Sequence, residues 1–445
     1  MISPARDTAL DILLRVEHHG AFASELLHSD RLSRLSTQDR GLATELVMGV
    51  LRWRSRLDEA ISTVSSQKLS KLDPEVLESL RLAAYQIGFL QRIPAHAAVN
   101  DSVELVKRKK KRSAAPFVNG VLRKLIATKS AFEPVLAPGP KTIPELVTMY
   151  AHPLWLVDRW ASRYGLQAAE AICSHNQQVP TTSIHVTDDA VLPELEDAGI
   201  KLEPGSLVSN ARRVTSGDIT KTRALLEGRI AIQDEASQLI AMLVGRGERL
   251  LDCCAAPGGK TAILAERNPQ SAVLAAEIHE HRAQTMQQRL RRHANVKVIT
   301  ADTTSLTGEK DFDRILADVP CSGTGTLARN PEIKWRLQPS DLADLHARQV
   351  NILRAALTKL KPGGRLVYST CSLETEENEQ VVTDALSGET RYEILELRSE
   401  LEQLRNEGET SFPDPALLLD GPFLRTLPGK FPADGFFATL IQRIF

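Results

Sequence analysis

Two cysteines of this sequence lie in turns whose composition favours chemistry over packing. Cys321 lies in Asp318-Val-Pro-Cys-Ser-Gly-Thr-Gly325, and Cys371 lies in Ser369-Thr-Cys-Ser372. Each turn follows a short apolar segment, so each thiol is predicted to lie where a strand ends. A thiolate at such a place is an accessible nucleophile. The sequence therefore predicts two active thiols.

A pair of thiols is suited to the methylation of carbon-5 of a pyrimidine. That carbon is a poor nucleophile, but a thiolate that adds to carbon-6 makes the ring enamine-like and lets carbon-5 attack a sulfonium methyl group. The carbon-5 proton must then leave and the thioether must be eliminated, which requires a base. One thiol would attack and the other would serve release, and these residues alone leave open which does which. Asp318 is a candidate partner for the base's amino group or the cofactor amine, and Lys260 is a candidate for activating a nearby thiol electrostatically.

The other three cysteines, Cys173, Cys253 and Cys254, are predicted to be ordinary buried residues, because free cysteine is usually a small hydrophobe. Five cysteines, an odd number, argue for thiols rather than a disulfide framework. No Cys-x-x-Cys pair occurs, so no zinc site is predicted.

The segment Leu250-Leu-Asp-Cys-Cys-Ala-Ala-Pro-Gly-Gly-Lys-Thr261 predicts a strand that runs through a glycine turn into a helix. Its end superficially matches a phosphate-binding loop, but that motif requires a glycine where this chain has Cys254. The alternative is a turn that lets the backbone approach a different ligand at the carboxyl end of the strand. Glu277 ends the second predicted strand, where it can accept both ribose hydroxyls, and Asp302 follows the third, beside an adenine edge. Any one acid alone more often just terminates a strand, but together they suit S-adenosylmethionine, which has no phosphate.

The N-terminal region, residues 1–130, predicts a compact all-α domain. Its apolar residues fall at helical spacing and strand-like alternation is absent. Thr37 is predicted to cap a helix, and Asp73-Pro74 to begin another. Residues 107–112 are Lys-Arg-Lys-Lys-Lys-Arg, and from Arg81 to Ser130 eleven Lys or Arg stand against two Asp or Glu. Such a run is usually a solvated helix face, but it can also attract nucleic-acid phosphates.

Three further regions are predicted after the helical domain. Residues 131–143 contain three prolines and a glycine, which is typical of a linker. Residues 144–232 combine helical stretches with a strand near Thr182–Thr187, which predicts a small α+β module. Over residues 233–445 short apolar strands alternate with helices, which indicates a parallel sheet covered on both faces. The predicted strands are Arg249–Cys254, Val273–Glu277, Val296–Thr300, Arg314–Asp318, Arg365–Thr370 and a last one within Gly435–Ile444.

Length and composition restrict the class of protein. A chain of 445 residues is too long for one ordinary domain. Hydrophobic residues at 42% and charged residues at 25% are typical of a soluble globular protein. No apolar run approaches the ~20 residues that span a bilayer, and the N-terminus lacks the apolar segment of a signal peptide. A cytoplasmic location is therefore expected, with no membrane partner and no metal, and nothing in the sequence requires more than a monomer.

In combination, three motifs resemble those of the RNA cytosine-5 methyltransferase family: Asp252–Thr261, Asp318–Gly325 and Ser369–Ser372. In addition, Arg40–Arg52 and Pro116–Arg123 are similar to the NusB-like RNA-binding domain of its bacterial ribosomal branch, the RsmB (Sun or Fmu) family. The resemblance covers residues 4 to 445. It implies a multidomain protein: an all-α NusB-like domain, a small α+β RNA-binding module and a Rossmann-like class I S-adenosylmethionine-dependent methyltransferase domain.

The resemblance also implies a reaction, the formation of 5-methylcytosine in 16S ribosomal RNA. It implies that Cys371 is the nucleophile and that Cys321 assists product release, with Asp318 between cofactor and base and Lys260 beside them. The residues implied to bind S-adenosylmethionine are Cys254, Ala255, Ala256, Pro257, Gly258, Gly259, Lys260, Glu277, Asp302 and Asp318. Since the target base must leave its stack, unpaired or loosely structured rRNA is the expected substrate.

The chain departs from the family pattern in three places. Glu277 stands where the family usually has aspartate, His185 replaces an expected RNA-contacting arginine, and the segment from Leu397 to Pro428 has no predicted role. Two alternatives remain open. The same chemistry on transfer RNA is disfavoured by the NusB-like domain. A non-catalytic RNA-binding or antitermination factor is disfavoured by the presence of both thiols and their charged neighbours.

Overall fold

The computed structural model describes residues 2–29, 32, 34–128, 132 and 141–445. The chain divides into two compact units, the first formed by Met1–Val179 with Leu327–Leu337 and the second by Pro180–Thr326 with Gln338–Phe445. This division differs from the predicted contiguous domains, whose boundaries stay predictions. Most of the predicted linker, residues 131–143, lies outside the described residues.

Helices make up all of the first unit's regular secondary structure among the described residues. The helices of the chain are α1 (Pro4–His19), α2 (Ala23–Leu27), α3 (Thr37–Val64), α4 (Pro74–Phe89), α5 (Ala95–Arg108), α6 (Ala115–Ala127), α7 (Ile143–Tyr150), α8 (Leu154–Tyr164), α9 (Leu166–Gln177), α10 (Leu192–Asp197), α11 (Arg223–Leu226), α12 (Glu235–Leu243), α13 (Gly259–Arg267), α14 (Glu280–Arg289), α15 (Ile333–Arg336), α16 (Asp341–Leu357), α17 (Glu379–Leu386) and α18 (Leu397–Asn406). Of these, α1–α9 and α15 belong to the first unit. Within the described ranges, none is both long and apolar enough to cross a membrane.

The predicted helix starts are partly right. Asp73 occupies the cap position of α4 and Pro74 its first turn, as predicted. The prediction that Thr37 caps α3 is wrong by one residue. Ser36 is the cap, because its hydroxyl accepts a hydrogen bond of 3.1 Å from the backbone N–H of Asp39. Thr37 is the first helical residue.

Residues 327–337 pack with the helical unit, although the rest of that unit comes from the first 179 residues of the chain. The Trp335 indole N–H donates to the Leu51 carbonyl at 2.5 Å, and the Lys334 amine donates to the Arg52 carbonyl at 2.9 Å. Lys334 is 1% exposed, and burial holds its pKa well below the usual range. The segment was predicted to belong to the C-terminal domain, since nothing in its local sequence pattern indicates this packing.

The second unit contains two sheets. The strands are β1 (Thr182–Val186), β2 (Lys201–Pro204), β3 (Ala211–Ser216), β4 (Ile230–Ile232), β5 (Arg249–Asp252), β6 (Ala272–Glu277), β7 (Val296–Thr300), β8 (Phe312–Asp318), β9 (Leu360–Thr370), β10 (Tyr392–Leu395), β11 (Leu419–Asp420), β12 (Phe423–Thr426) and β13 (Phe436–Arg443). The small sheet is antiparallel, in the order β2-β3-β1-β4. The large sheet has the order β11-β12-β13-β9-β8-β5-β6-β7, with β10 also paired to β13.

The parallel part of the large sheet confirms the predicted α/β architecture. Strands β5 to β9 run parallel, and β13 joins them antiparallel to β9. The sheet is buried on both faces, since side chains of both strand faces contribute to separate apolar cores. The antiparallel extension β10–β12 was not predicted, because its strands are only two to four residues long.

His185 connects the small sheet to the helices of the large one. Its Nε2 lies 2.7 Å from Glu266 Oε2 on α13, and its Nδ1 lies 3.2 Å from Gln238 Oε1 on α12. The Thr187 hydroxyl donates to the same glutamate at 2.9 Å. Because His185 is 6% exposed, the side chain at the position of the expected RNA-contacting arginine is engaged within the protein.

The previously unassigned segment from Leu397 to Pro428 also connects the two sheets. It contains α18, β11 and β12. Thr410 forms an isolated bridge with Val208, and the Ser209 N–H donates to the Glu409 carbonyl at 3.0 Å. The segment therefore holds the loop between β2 and β3 against the large domain.

Candidate active site

The predicted site residues meet at the carboxyl edge of the parallel strands. Strand β5 ends at Asp252, β6 at Glu277, β8 at Asp318 and β9 at Thr370. Because these strands are parallel neighbours, the loops that follow them lie along one edge of the sheet, where ligands of open α/β sheets bind. The glycine turn, the acids and both cysteine turns therefore share one site.

Cys321 and Cys371 form a hydrogen-bonded pair, with their sulfur atoms 3.2 Å apart. The two turns also join through the backbone, since the Gly325 N–H donates to the Cys371 carbonyl at 2.9 Å. A Cβ at Gly325 would lie 2.2 Å from the Gly435 carbonyl oxygen, so no other residue fits at this close approach. The turns are thus closely packed as well as adjacent.

The surroundings of Cys321 favour its protonated form. The hydrogen bond with Cys371 and burial raise the pKa of the Cys321 thiol well above its usual value, and the negative charges of Glu377 and Asp318 act in the same direction. Cys321 is therefore the thiol of the pair that its surroundings keep protonated.

The remaining cysteines are not poised to react. Burial raises the pKa of Cys173 to about 12 and that of Cys253 still further. Burial also raises the pKa of Cys254 well above its usual value. Cys173 and Cys253 are buried, as predicted for small hydrophobic side chains. Cys254 is only half-buried, because it begins the turn that follows β5.

Lys260 and Asp318 form an ion pair beside the thiols. The ammonium nitrogen lies 2.7 Å from Asp318 Oδ2, and the Ser369 hydroxyl donates to Oδ1 at 2.7 Å. Burial alone would lower the pKa of Lys260, but the negative charge of Asp318, aided by the Cys371 sulfur, raises it. Lys260 therefore remains a cation next to the pair of sulfurs.

The glycine turn adopts a backbone that only glycine accommodates readily. Gly258 has φ +100°, and a Cβ there would lie 2.9 Å from the Met286 side chain. Asp252, just before the turn, is 1% exposed and accepts a hydrogen bond of 2.7 Å from the Thr261 hydroxyl. Its Oδ1 has no hydrogen-bond partner among the described residues, and burial raises its pKa to about 7. Asp252 was not among the predicted site residues.

Glu277 and Asp302 lie at the ends of β6 and β7, as predicted. Glu277 Oε1 accepts a hydrogen bond of 2.8 Å from the His279 N–H, and Asp302 accepts one of 2.8 Å from the Thr304 N–H. Ile278, directly after Glu277, is 58% exposed. This exposed apolar side chain lies directly after the end of β6, at the edge where the site residues meet.

A buried carboxylate that sequence analysis missed connects the two cysteine turns. Glu377 is 0% exposed, and its Oε1 accepts hydrogen bonds from the Ser322 N–H at 2.8 Å and from Gln349 Nε2 at 2.9 Å. Its Oε2 accepts from the hydroxyls of Ser322 and Ser372. Only the serine that follows each cysteine hints at this arrangement in the sequence.

Comparison with known proteins identifies the family. The protein-family model described as 16S rRNA methyltransferase RsmB/F matches residues 240–442. A Bacillus subtilis (strain 168) protein named "Probable ribosomal RNA small subunit methyltransferase B" is 36% identical, over 98% of each chain. The chain belongs to the RsmB/F family. A Salmonella newport (strain SL254) protein named "Ribosomal RNA small subunit methyltransferase B" is 34% identical over 92% of each chain.

Other comparisons support the fold of this RsmB/F-family protein. The crystal structure of PH0851 aligns with a TM-score of 0.81 at 24% identity, over 100% of this chain and 99% of that one, which shows a shared fold. The NusB family model matches residues 3–127, and a model for the ferredoxin-like domain of RsmF/B-like methyltransferases matches residues 152–218. The predicted resemblance and multidomain architecture are therefore confirmed.

The basic run of the NusB-like region is largely paired with acids. Lys107 lies 2.6 Å from Glu104, Arg108 lies 3.3 Å from Asp7, Lys111 lies 3.0 Å from Asp73, and Lys109 pairs with Asp11. Three of these acids lie outside the window over which the charge was counted, Asp7 and Asp11 on α1 and Asp73 at the start of α4. The local positive excess is therefore smaller in the fold than in the sequence, and its predicted role in RNA binding stays a prediction.

Proposed function

We propose that this RsmB/F-family protein methylates carbon-5 of a cytosine in 16S ribosomal RNA, with S-adenosylmethionine as methyl donor. The observation that carries this proposal is the pair of sulfurs, Cys321 and Cys371, 3.2 Å apart at the ligand edge of the sheet. The Bacillus and Salmonella relatives are named as small-subunit ribosomal RNA methyltransferases, which supports this substrate. The NusB match over residues 3–127 supports an RNA partner.

The residues at this edge fit S-adenosylmethionine. The turn from Cys254 to Lys260 directly follows β5, and Gly258 at φ +100° lets its backbone turn tightly at the ligand edge. Glu277 and Asp302 supply acceptors for ribose and adenine, and the exposed Ile278 supplies an apolar surface for a base. When bound there, S-adenosylmethionine would supply the methyl group for carbon-5, with the bond between that group and the sulfonium sulfur breaking and its electron pair staying on the sulfur.

Cys371 acts as the nucleophile in this proposal. Its thiolate adds to carbon-6 of the cytosine, forming a carbon–sulfur bond and moving the electron pair of the double bond toward carbon-5, which becomes nucleophilic. Lys260 stays charged beside it, since Asp318 raises the pKa of the ammonium against the effect of burial. Asp318 is in turn held by Lys260 and Ser369, each 2.7 Å away. Its carboxylate would accept a hydrogen bond from the cofactor amine or from the amino group of the base.

Cys321 acts as the base for release. Its pKa is raised chiefly by its hydrogen bond with Cys371, together with burial. Once Cys371 has become a neutral thioether, that interaction is lost and Cys321 gives up its proton to solvent more readily. The Cys321 thiolate then takes the carbon-5 proton, the double bond re-forms, and the carbon–sulfur bond breaks with its electron pair returning to Cys371. Over one cycle, a single proton is released.

The test is methyl transfer from labelled S-adenosylmethionine to unmodified 16S rRNA, with transfer RNA and DNA in parallel, followed by bisulfite sequencing of the product. The proposal expects label in the rRNA and one protected cytosine. Label in transfer RNA alone would keep the chemistry and reject the substrate. Label in rRNA with no protected cytosine would reject methylation at carbon-5.

A further inference from the structure

We propose that Glu377 is a positioning residue that sets the separation of the two reacting thiols and assigns them their different tasks. This inference rests on the function proposed above for Cys321 and Cys371. Glu377 does not lie at either thiol. It acts through Ser322 and Ser372, the residues that directly follow the two cysteines.

The carboxylate of Glu377 accepts hydrogen bonds from both cysteine turns. It accepts from both the N–H, at 2.8 Å, and the hydroxyl of Ser322, and from the hydroxyl of Ser372. The two serine hydroxyls lie 3.0 Å apart. Because each serine is covalently bonded to its cysteine, the carboxylate fixes the distance between the backbones from which the thiols project.

The surroundings of this carboxylate hold it in one position. Gln349 Nε2 donates both to Glu377 Oε1 and to the Pro320 carbonyl, each at 2.9 Å. The Tyr368 hydroxyl donates to the Glu377 carbonyl at 2.6 Å, and Asn378 Nδ2 donates to the Ser372 carbonyl at 3.0 Å. Both ends of the connection are therefore rigid, and neither turn can shift without breaking several hydrogen bonds.

The charge of Glu377 has a separate consequence. The four donors to its carboxylate belong to an amide N–H, two hydroxyls and a primary amide, all neutral. A buried carboxylate held by neutral donors costs more desolvation free energy than a neutral amide would, so connection alone does not explain a glutamate here. Its negative charge also favours the protonated form of Cys321. The same group thus adds to the effects of the Cys371 hydrogen bond and of burial, which chiefly keep Cys321 protonated.

The test distinguishes the hydrogen bonds of Glu377 to Ser372, in the attacking turn, from those to Ser322, in the release turn. It uses single-turnover kinetics with 16S rRNA and S-adenosylmethionine and follows the protein–RNA adduct on denaturing gels. Ser372→Ala loosens the attacking turn and slows adduct formation, whereas Ser322→Ala loosens the release turn and makes the adduct accumulate. Glu377→Ala loosens both turns and lowers the overall rate by about a hundredfold, the scale of a misplacement of about 1 Å. Glu376→Gln, one residue earlier on the same turn, is the matched control and should behave as wild type.

Glu377→Gln isolates the charge. Glutamine preserves the shape and can still connect the turns, because the serine hydroxyls can reverse their direction of donation. Without the negative charge Cys321 loses its proton more easily, so the pH profile of adduct breakdown should move to lower pH. A merely structural role would leave that profile where it is.

Several results would overturn the inference. Equal kinetics of Glu377→Ala, both serine variants and the control would show that Glu377 positions neither thiol. If Glu377→Ala does not fold, the two serine variants provide the test, because they are smaller changes. Identical effects of both on adduct formation and adduct breakdown would contradict separate roles for the two serine contacts. The proposed function fails separately, if Cys371→Ala keeps full activity. Loss of activity in Cys371→Ala with unaffected serine variants rejects this inference alone.

Discussion

Cys321 and Cys371 are fifty residues apart in sequence, yet their sulfur atoms lie 3.2 Å apart. The register of two adjacent parallel strands brings them together. Asp318 of β8 pairs with Ser369 of β9, and each strand ends in a turn shortly afterwards. The pair is electrostatically asymmetric. The anions Glu377 and Asp318 help to keep Cys321 protonated, and the Lys260 cation interacts with Cys371.

This asymmetry predicts the order of thiol reactivity. Iodoacetamide at neutral pH should alkylate Cys371 before Cys321, because only a thiolate reacts and the raised pKa keeps Cys321 protonated. In Cys371→Ala, Cys321 should react faster than in wild type, since it loses the hydrogen bond that contributes most to its raised pKa. Peptide mapping by mass spectrometry gives both rates. Cys173, whose pKa is raised to about 12 by burial, is the internal control and should be unchanged. A slower reaction of Cys321 in the variant would contradict the assignment of the proton.

Glu277 is predicted to bind the ribose of the cofactor. Glu277→Ala should weaken binding of S-adenosylmethionine by about 2 kcal/mol, the scale of hydrogen bonds to a charged group, which corresponds to roughly thirtyfold in Kd. Isothermal titration calorimetry measures this directly. Glu280→Ala, an exposed glutamate at the start of α14, is the control. Equal affinities of the two variants would place the ribose elsewhere.

Gly325 tests how closely the two turns must approach. In Gly325→Ala the new Cβ would lie 2.2 Å from the Gly435 carbonyl oxygen and 2.9 Å from that of Cys371. Both neighbours are backbone, so the turns must separate and transfer activity should fall by at least about tenfold. Gly120→Ala on α6 meets nothing within 4 Å. That control should keep full activity and gain about 0.5–1 kcal/mol of stability. An active Gly325→Ala enzyme would show that the approach is not needed.

Lys334 predicts a pH dependence of stability. Burial lowers its folded-state pKa, so below the unfolded value of about 10.4 the unfolded chain binds a proton that the folded chain binds less readily. The contribution of this group to the free energy of unfolding therefore falls as the pH falls below about 10.4. Relative to Lys334→Met, wild type should gain free energy of unfolding between about pH 7 and pH 10. Urea unfolding at each pH tests this, with the exposed Lys124→Met as control. A constant difference across the range would mean that Lys334 is not buried in solution.

Local sequence patterns predicted the elements that position the site. Each strand of the parallel sheet appears in its own segment as a short apolar run between helical stretches. Strands β5 to β9 and β13 could therefore be predicted from the sequence. The cysteine turns were recognisable because proline, glycine and serine at a strand end indicate an irregular, accessible backbone. The predicted roles of the site residues stay predictions until the experiments above are made.

What sequence analysis missed depends on contacts between distant segments. Glu377 lies 55 residues from Ser322, and a charged residue in a polar stretch gives no indication that it will be fully buried. The packing of Trp335 against α3 crosses 284 residues. The basic run loses part of its excess charge to Asp7 and Asp11, which only the fold brings near.

The covalent intermediate tests the central claim most directly. Cys321→Ala, incubated with unmodified 16S rRNA and S-adenosylmethionine, should accumulate a protein–RNA adduct visible as a slow-migrating, RNase-sensitive band on a denaturing gel. The double variant with Cys371→Ala should show no such band, because the attacking sulfur is gone. An adduct that persists in the double variant, or its absence from Cys321→Ala together with normal turnover, would contradict attack by Cys371 and release by Cys321.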